Sequence, residues 1–84
     1  MKTVYETSRQ VCSSRIVIET DGTKVVKVNF MGGCNGNTQG VARLAEGMEI
    51  DDVIEKLQNI RCGSKQTSCP AELAKALKQI KEAI

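Results

Sequence analysis

Arg15-Ile16-Val17-Ile18-Glu19-Thr20-Asp21-Gly22-Thr23-Lys24-Val25-Val26-Lys27-Val28-Asn29-Phe30 is the stretch that decides the fold. Two runs of β-branched residues alternating with polar ones flank Thr20-Asp21-Gly22, a three-residue loop with glycine at the left-handed position, so the stretch reads as a β-hairpin. That loop pairs Ile16 with Val26 and Ser14 with Val28, and it sets Ile16, Ile18, Val26, Val28 and Phe30 on one face. A slip of one residue would scatter the set over both faces, which favours this register. The same register places Cys12 opposite Phe30 at the open end of the hairpin, with Cys34 a few residues further along the partner strand.

Upstream, Thr3-Val4-Tyr5-Glu6-Thr7 is short and rich in strand formers, and reads as a third strand. Downstream come three helical patterns. The first carries Val41, Leu44, Ala45 and Met48 on one stripe, with Asn35, Asn37 or Thr38 as its cap and Gly47 as its stop. The second carries Ile50, Val53, Ile54, Leu57 and Ile60, with Asp51 and Asp52 in the first turn where the helix dipole favours acids. The third runs from Pro70 to the end with Leu73, Leu77, Ile80 and Ile84 inside and Lys75, Lys78 and Lys81 outside. Pro70 fits the first helical position, which puts Cys69 at the N-cap, beside unpaired backbone N–H groups that favour a thiolate. No linker, repeat or low-complexity segment interrupts these elements. The expected architecture is α+β, one domain over residues 1–84, with a small three-stranded antiparallel sheet and three helices packed on one face.

Composition narrows the function. The chain has 84 residues, and a domain of that size buries only about 60–65% of its unfolded surface, so a covalent or metal staple would help it. Lys and Arg total 12 against 10 for Asp and Glu, and they are scattered, so no nucleic-acid footprint is indicated. With one Tyr and one Phe, stacking platforms for bases are not expected either. The N-terminus lacks the apolar core of a signal peptide and no apolar run reaches membrane-spanning length, so the expected location is the cytoplasm, with no membrane partner. The glycine-rich run Gly32-Gly33-Cys34-Asn35-Gly36 lacks the Gly-Lys-Ser/Thr of a phosphate loop and does not match the dinucleotide fingerprint. Histidine is absent, which removes the usual general base and any imidazole metal ligand.

Four cysteines remain: Cys12, Cys34, Cys62 and Cys69. Thiols in a reducing cytosol are not expected to pair as structural disulfides, which leaves a secreted disulfide framework as the weakest reading. Three others stand beside each other. The cysteines are small buried hydrophobes; or Cys69 and Cys62 are a redox couple, attacking thiolate and resolver, with Lys65 in their loop to lower a thiol pKa; or three or four of them bind a metal. Each lies in a turn beside a regular element, and an all-sulfur shell suits zinc or iron and not magnesium or calcium. Their spacing, Cys-x21-Cys-x27-Cys-x6-Cys, matches no zinc-finger pattern.

Val11-Cys12-Ser13, Gly32-Gly33-Cys34-Asn35-Gly36-Asn37, Gly47, Cys62-Gly63 and Thr67-Ser68-Cys69-Pro70 together resemble the TSCPD domain family, over nearly the whole chain. Ala71 stands where the family's name calls for Asp. The resemblance implies a stand-alone copy of the domain found at the C-terminus of some adenosylcobalamin-dependent ribonucleotide reductases. It also implies one site for zinc or iron at Cys12, Cys34, Cys62 and Cys69, a role accessory to ribonucleoside-diphosphate reductase, and such a reductase as partner. A complete reductase would not fit in a chain of this length. A second, weaker resemblance is to the U-type iron-sulfur scaffold proteins, with Cys34, Gly47 and Cys69 as shared landmarks. It adds an iron-sulfur scaffold to the alternatives, beside the thiol shuttle through Cys62 and Cys69.

Overall fold

A computed structural model describes residues 2–7, 13–32, 35–60 and 68–83. Three strands, β1 (Lys2–Glu6), β2 (Ser13–Asp21) and β3 (Lys24–Gly32), form an antiparallel sheet in the order β1-β2-β3. Helices α1 (Asn35–Ala45), α2 (Ile50–Leu57) and α3 (Cys69–Ala83) follow, as an α+β fold requires.

The hairpin forms, but in a different register from the one its alternation suggests. Ile16 pairs with Phe30 and Ile18 with Val28, whereas Asp21 pairs with Lys24, so the turn is the two residues Gly22 and Thr23. Gly22 has φ 61° and none of the described non-glycine residues has positive φ, the pattern of a type II′ turn with glycine at its first central position. Between Glu19↔Lys27 and Thr20↔Val25 the register shifts by one, leaving Val26 as the extra residue of a β-bulge. Val26 is consequently 51% exposed, and Val25 takes its place in the core. The strand partner of Phe30 is Ile16, and Cys12, expected there, lies outside the described residues.

The inward set of the sheet is Ile16, Ile18, Val25 and Val28, with Tyr5 and Phe30 half-buried beside it. These meet Ile50, Val53 and Ile54 of α2 and Leu73, Leu77 and Ile80 of α3. The alternate residues Arg15, Lys27 and Asn29 are exposed. Helix α1 lies along β3 through Thr38, Ala42 and Ala45, a face of small residues that lets the helix approach the strand closely. Leu44, expected on the buried stripe, is 77% exposed. Gly47 ends the turn after α1 with φ 87° and donates its N–H to Val25 at 2.7 Å, so its expected role as a stop holds. The α2 stripe is buried at Ile50, Val53 and Ile54, but Ile60 lies beyond the helix and is exposed. On α3 the stripe Leu73, Leu77, Ile80 is buried, Lys75, Lys78 and Lys81 are exposed, and Ile84 lies outside the described residues.

Two ends of the domain can now be distinguished. At the hairpin turn, Ile50 N–H donates to the Thr23 carbonyl and Lys81 pairs with Asp51, so α2 begins and α3 finishes there. At the other end the hairpin opens, with Ser13 paired to Gly32. No described helix is long and apolar enough to cross a membrane.

Candidate metal centre

Cys69 is the one candidate ligand among the described residues; Cys12, Cys34 and Cys62 lie outside them. It stands at the first position of α3, one place inside the N-cap position expected from Pro70. The N-cap is Ser68, whose hydroxyl oxygen accepts the Ala71 N–H at 3.1 Å, with the Ser68 carbonyl accepting from Glu72 N–H at 2.8 Å. A hydroxyl is a better cap acceptor than a thiol, and proline is tolerated at the next position because first-turn N–H groups have no intrahelical acceptor. Cys69 is accordingly turned into the domain and is only 7% exposed.

The same hydroxyl donates to the Ile60 carbonyl at 2.7 Å. One side chain therefore starts α3 and fastens both ends of the segment that carries Cys62. Ser68→Ala should destabilise the protein by about 2 kcal/mol, from a lost cap and a carbonyl left unpaired, while Ser68→Thr should recover most of it. Urea denaturation followed by circular dichroism measures both.

Glu72, one helical turn beyond Cys69, is the group that sequence reasoning missed. It is 1% exposed and pairs with Lys75 at 3.0 Å. A carboxylate in the first turn reads as an ordinary solvated acid, but position 72 continues the inward face of 69, 73, 76 and 80, which is the signal that was available. Its charge reaches Tyr5 on β1: burial, and then Glu72, raise the Tyr5 pKa above 10.0, with Lys75 opposing. A tyrosine pKa raised by folding contributes stability that is present below pH 10 and lost as pH rises through the folded value. Tyr5 is the chain's only tyrosine. Absorbance at the tyrosinate band should therefore give one midpoint above the model-peptide value, and Glu72→Gln should lower it.

Helix α3 ends at the hairpin turn, where Lys81 pairs with Asp51, so its first turn lies toward the open end of the sheet, on the side of Tyr5, whose strand partner Ile16 pairs with Phe30. The described neighbours of all four cysteines gather at that end. Ser13 follows Cys12 and pairs with Gly32, and Cys34 falls between Gly32 and the first residue of α1. Cys62 follows Ile60 by two residues, and the Ile60 carbonyl is bonded to Ser68, the residue before Cys69. Among the described residues no three His, Cys, Asp or Glu side chains cluster as a metal site. The donor set itself fits zinc or iron, being four thiols with no imidazole in the chain.

The family model of the TSCPD domain matches residues 1–81, and the chain belongs to that family. No curated protein and no solved structure matches it.

Proposed function

From membership of the TSCPD domain family we propose that this chain binds one zinc or iron ion through Cys12, Cys34, Cys62 and Cys69. We further propose that it acts in the cytoplasm as an accessory to ribonucleoside-diphosphate reductase. The observation that carries the metal reading is topological. The described residues flanking each cysteine converge on the open end of the sheet, although the cysteines are dispersed from position 12 to position 69. A dispersed set brought together by the fold is how a small domain makes a closed four-ligand site, and such a site adds its binding free energy to folding.

Burial of Cys69 weighs against the thiol shuttle. A thiolate that attacks a partner's disulfide must be reached by it, and reactive cysteines are partly exposed, whereas Cys69 is only 7% exposed. An iron-sulfur scaffold must likewise hand over its cluster, and a closed four-thiolate shell is a retaining arrangement.

The reductase link rests on the family. A domain that occurs fused to an enzyme can dock on it when encoded alone, and the segment from Cys62 to Cys69 is the contact we propose, since Ile60 and Ser68, which bracket it, are hydrogen-bonded to each other. The test adds purified chain, with its metal content measured, to an adenosylcobalamin-dependent reductase lacking its own copy. Cys62→Ser and Cys69→Ser should lose metal and binding together. If they abolish thiol-dependent turnover while metal content has no effect, the shuttle is correct instead.

A further inference from the structure

We infer that the face of the sheet turned away from the core is the docking surface for a second copy of this chain, in one orientation about a two-fold axis. The inference is independent of the metal. Tyr5, Ile16, Ile18, Val28 and Phe30 belong to or pack on the core, so their alternates point the other way, and the register sets these alternates in three rows across the strands. Lys2, Glu19 and Lys27 form the row nearer the hairpin turn. Val4, Val17 and Asn29 form the middle row, and Glu6, Arg15 and Met31 the row nearer the open end.

The uncovered face of an antiparallel sheet is ordinarily polar. Here Val4 is 58% exposed, Met31 is 44% exposed, and Val26, the bulge residue next to Lys27, is exposed as well. These are three of the five large apolar side chains that are exposed among the described residues. Charges flank them at both ends of the face. The salt bridges among the described residues are Lys75–Glu72 and Lys81–Asp51, so the charges of this face are not closed on one another.

Two identical faces stack about a two-fold axis that lies between them. With that axis along the strands, the outer strands exchange places, so Lys2 meets Lys27 while Glu19 and Arg15 each meet themselves, and like charges coincide. With the axis across the strands, each strand lies over its own copy run in reverse. Lys2 then meets Glu6, Glu19 meets Arg15, and Met31 meets the stem of Lys27 beside Val26, each of them twice. Val4, Val17 and Asn29 lie on the axis and meet themselves, and a carboxamide, being donor and acceptor, is its own complement. The result is four ion pairs around an apolar centre, the usual layout of an interface. This orientation also keeps the two sets of strands aligned to within about 30°, as packed sheets prefer, an offset that long Lys, Arg and Glu side chains at the rim can span. Complementarity of the face to itself is what selects a second copy as the occupant. The area sets the strength. Three strands about 4.8 Å apart, over five residues rising about 3.4 Å each, give a footprint of about 250 Å² per copy, against about 800 Å² per partner in a standard interface. The dimer is therefore a weak one, with Kd on the order of 0.1 mM.

Sedimentation equilibrium of the full chain from about 10 μM to about 1 mM should show monomer passing to dimer, with about 80% dimer at the top concentration. Arg15→Glu and Glu19→Lys should each weaken self-association about tenfold or more by setting like charges together, with the circular dichroism spectrum unchanged. Mixed in equal amounts, the two variants should associate as the unaltered chain does, because position 15 of each then meets a position 19 of opposite sign in the other. In a mixture of isotope-labelled and unlabelled unaltered chains, methyl NOEs should connect Val17 to Val17 and Met31 to Val26 across the interface. A chain that stays monomeric at about 1 mM, undiminished association of either variant, a mixture no stronger than the separate variants, or a dimer lacking those NOEs would each overturn the inference.

Discussion

Removing metal with a strong chelator should lower the melting temperature by about 20 °C or more, and restoring zinc or iron should recover it. The size follows from two magnitudes. Structural four-ligand zinc sites bind with apparent free energies of about 10–16 kcal/mol in small domains, while about 1 kcal/mol corresponds to about 4–8 °C in a domain of this length. A minor part of the binding energy, about 4 kcal/mol, already corresponds to about 16–32 °C, a range that includes the expected shift. The reason so much can reside in one site is the modest core: the fully buried large side chains are few, and α1 meets β3 through Thr38, Ala42 and Ala45. Cys12→Ser, Cys34→Ser, Cys62→Ser and Cys69→Ser should act alike, since each would remove one ligand of the proposed ion. Circular dichroism is the suitable reporter because the chain has no tryptophan. A melting temperature indifferent to chelator and to Cys12→Ser would make the cysteines packing or redox groups.

Leu77→Ala should cost about 3–4 kcal/mol, the loss of transfer energy plus the cavity left between α3 and the sheet. Leu77 is fully buried in the cluster that joins Ile16, Val53 and Ile80, so little can collapse into the space. In the metal-loaded protein this amounts to a drop of about 12–30 °C. Leu44→Ala is the matched comparison. The same chemical change at a side chain 77% exposed should fall within about 0.5 kcal/mol. Equal effects at the two positions would mean that α1 is rotated about its axis relative to the structure described.

That contrast shows which features the residues disclose. The alternating pattern identifies the hairpin and, apart from Val26, its inward face, even though the pairing differs. Ile16 meets Phe30 instead of Val26, a displacement of four residues, and an even displacement keeps Ile16, Ile18, Val28 and Phe30 on one face. What alternation cannot reveal is a bulge. Val25 and Val28 are buried three residues apart, and a reader applying period two selects Val26 and Val28. On the α1 stripe Val41, Ala45 and Met48 do pack on the core and Leu44 alone does not, because the face that meets β3 is the small one, Thr38, Ala42 and Ala45. At the site, the serine cap displaced Cys69 by one position, a boundary that depends on which side chain reaches the Ala71 N–H. Glu72 was hidden because acids at helix starts are common on solvent faces, and only its position on the inward stripe of α3 sets it apart. The convergence of the cysteine neighbours was legible for Cys12 and Cys34 through the hairpin. It was illegible for the neighbours of Cys62 and Cys69, because Ile60 and Ser68 are brought together by the Ser68–Ile60 hydrogen bond.

X-ray absorption at the metal edge of untagged, fully loaded protein, normalised by elemental analysis, tests the four-thiolate site most directly. The expected result is one zinc or iron per chain in a shell of sulfur alone, at about 2.3 Å. A shell of oxygen or nitrogen, or a metal content far below one per chain when zinc and iron are supplied in excess, would contradict it.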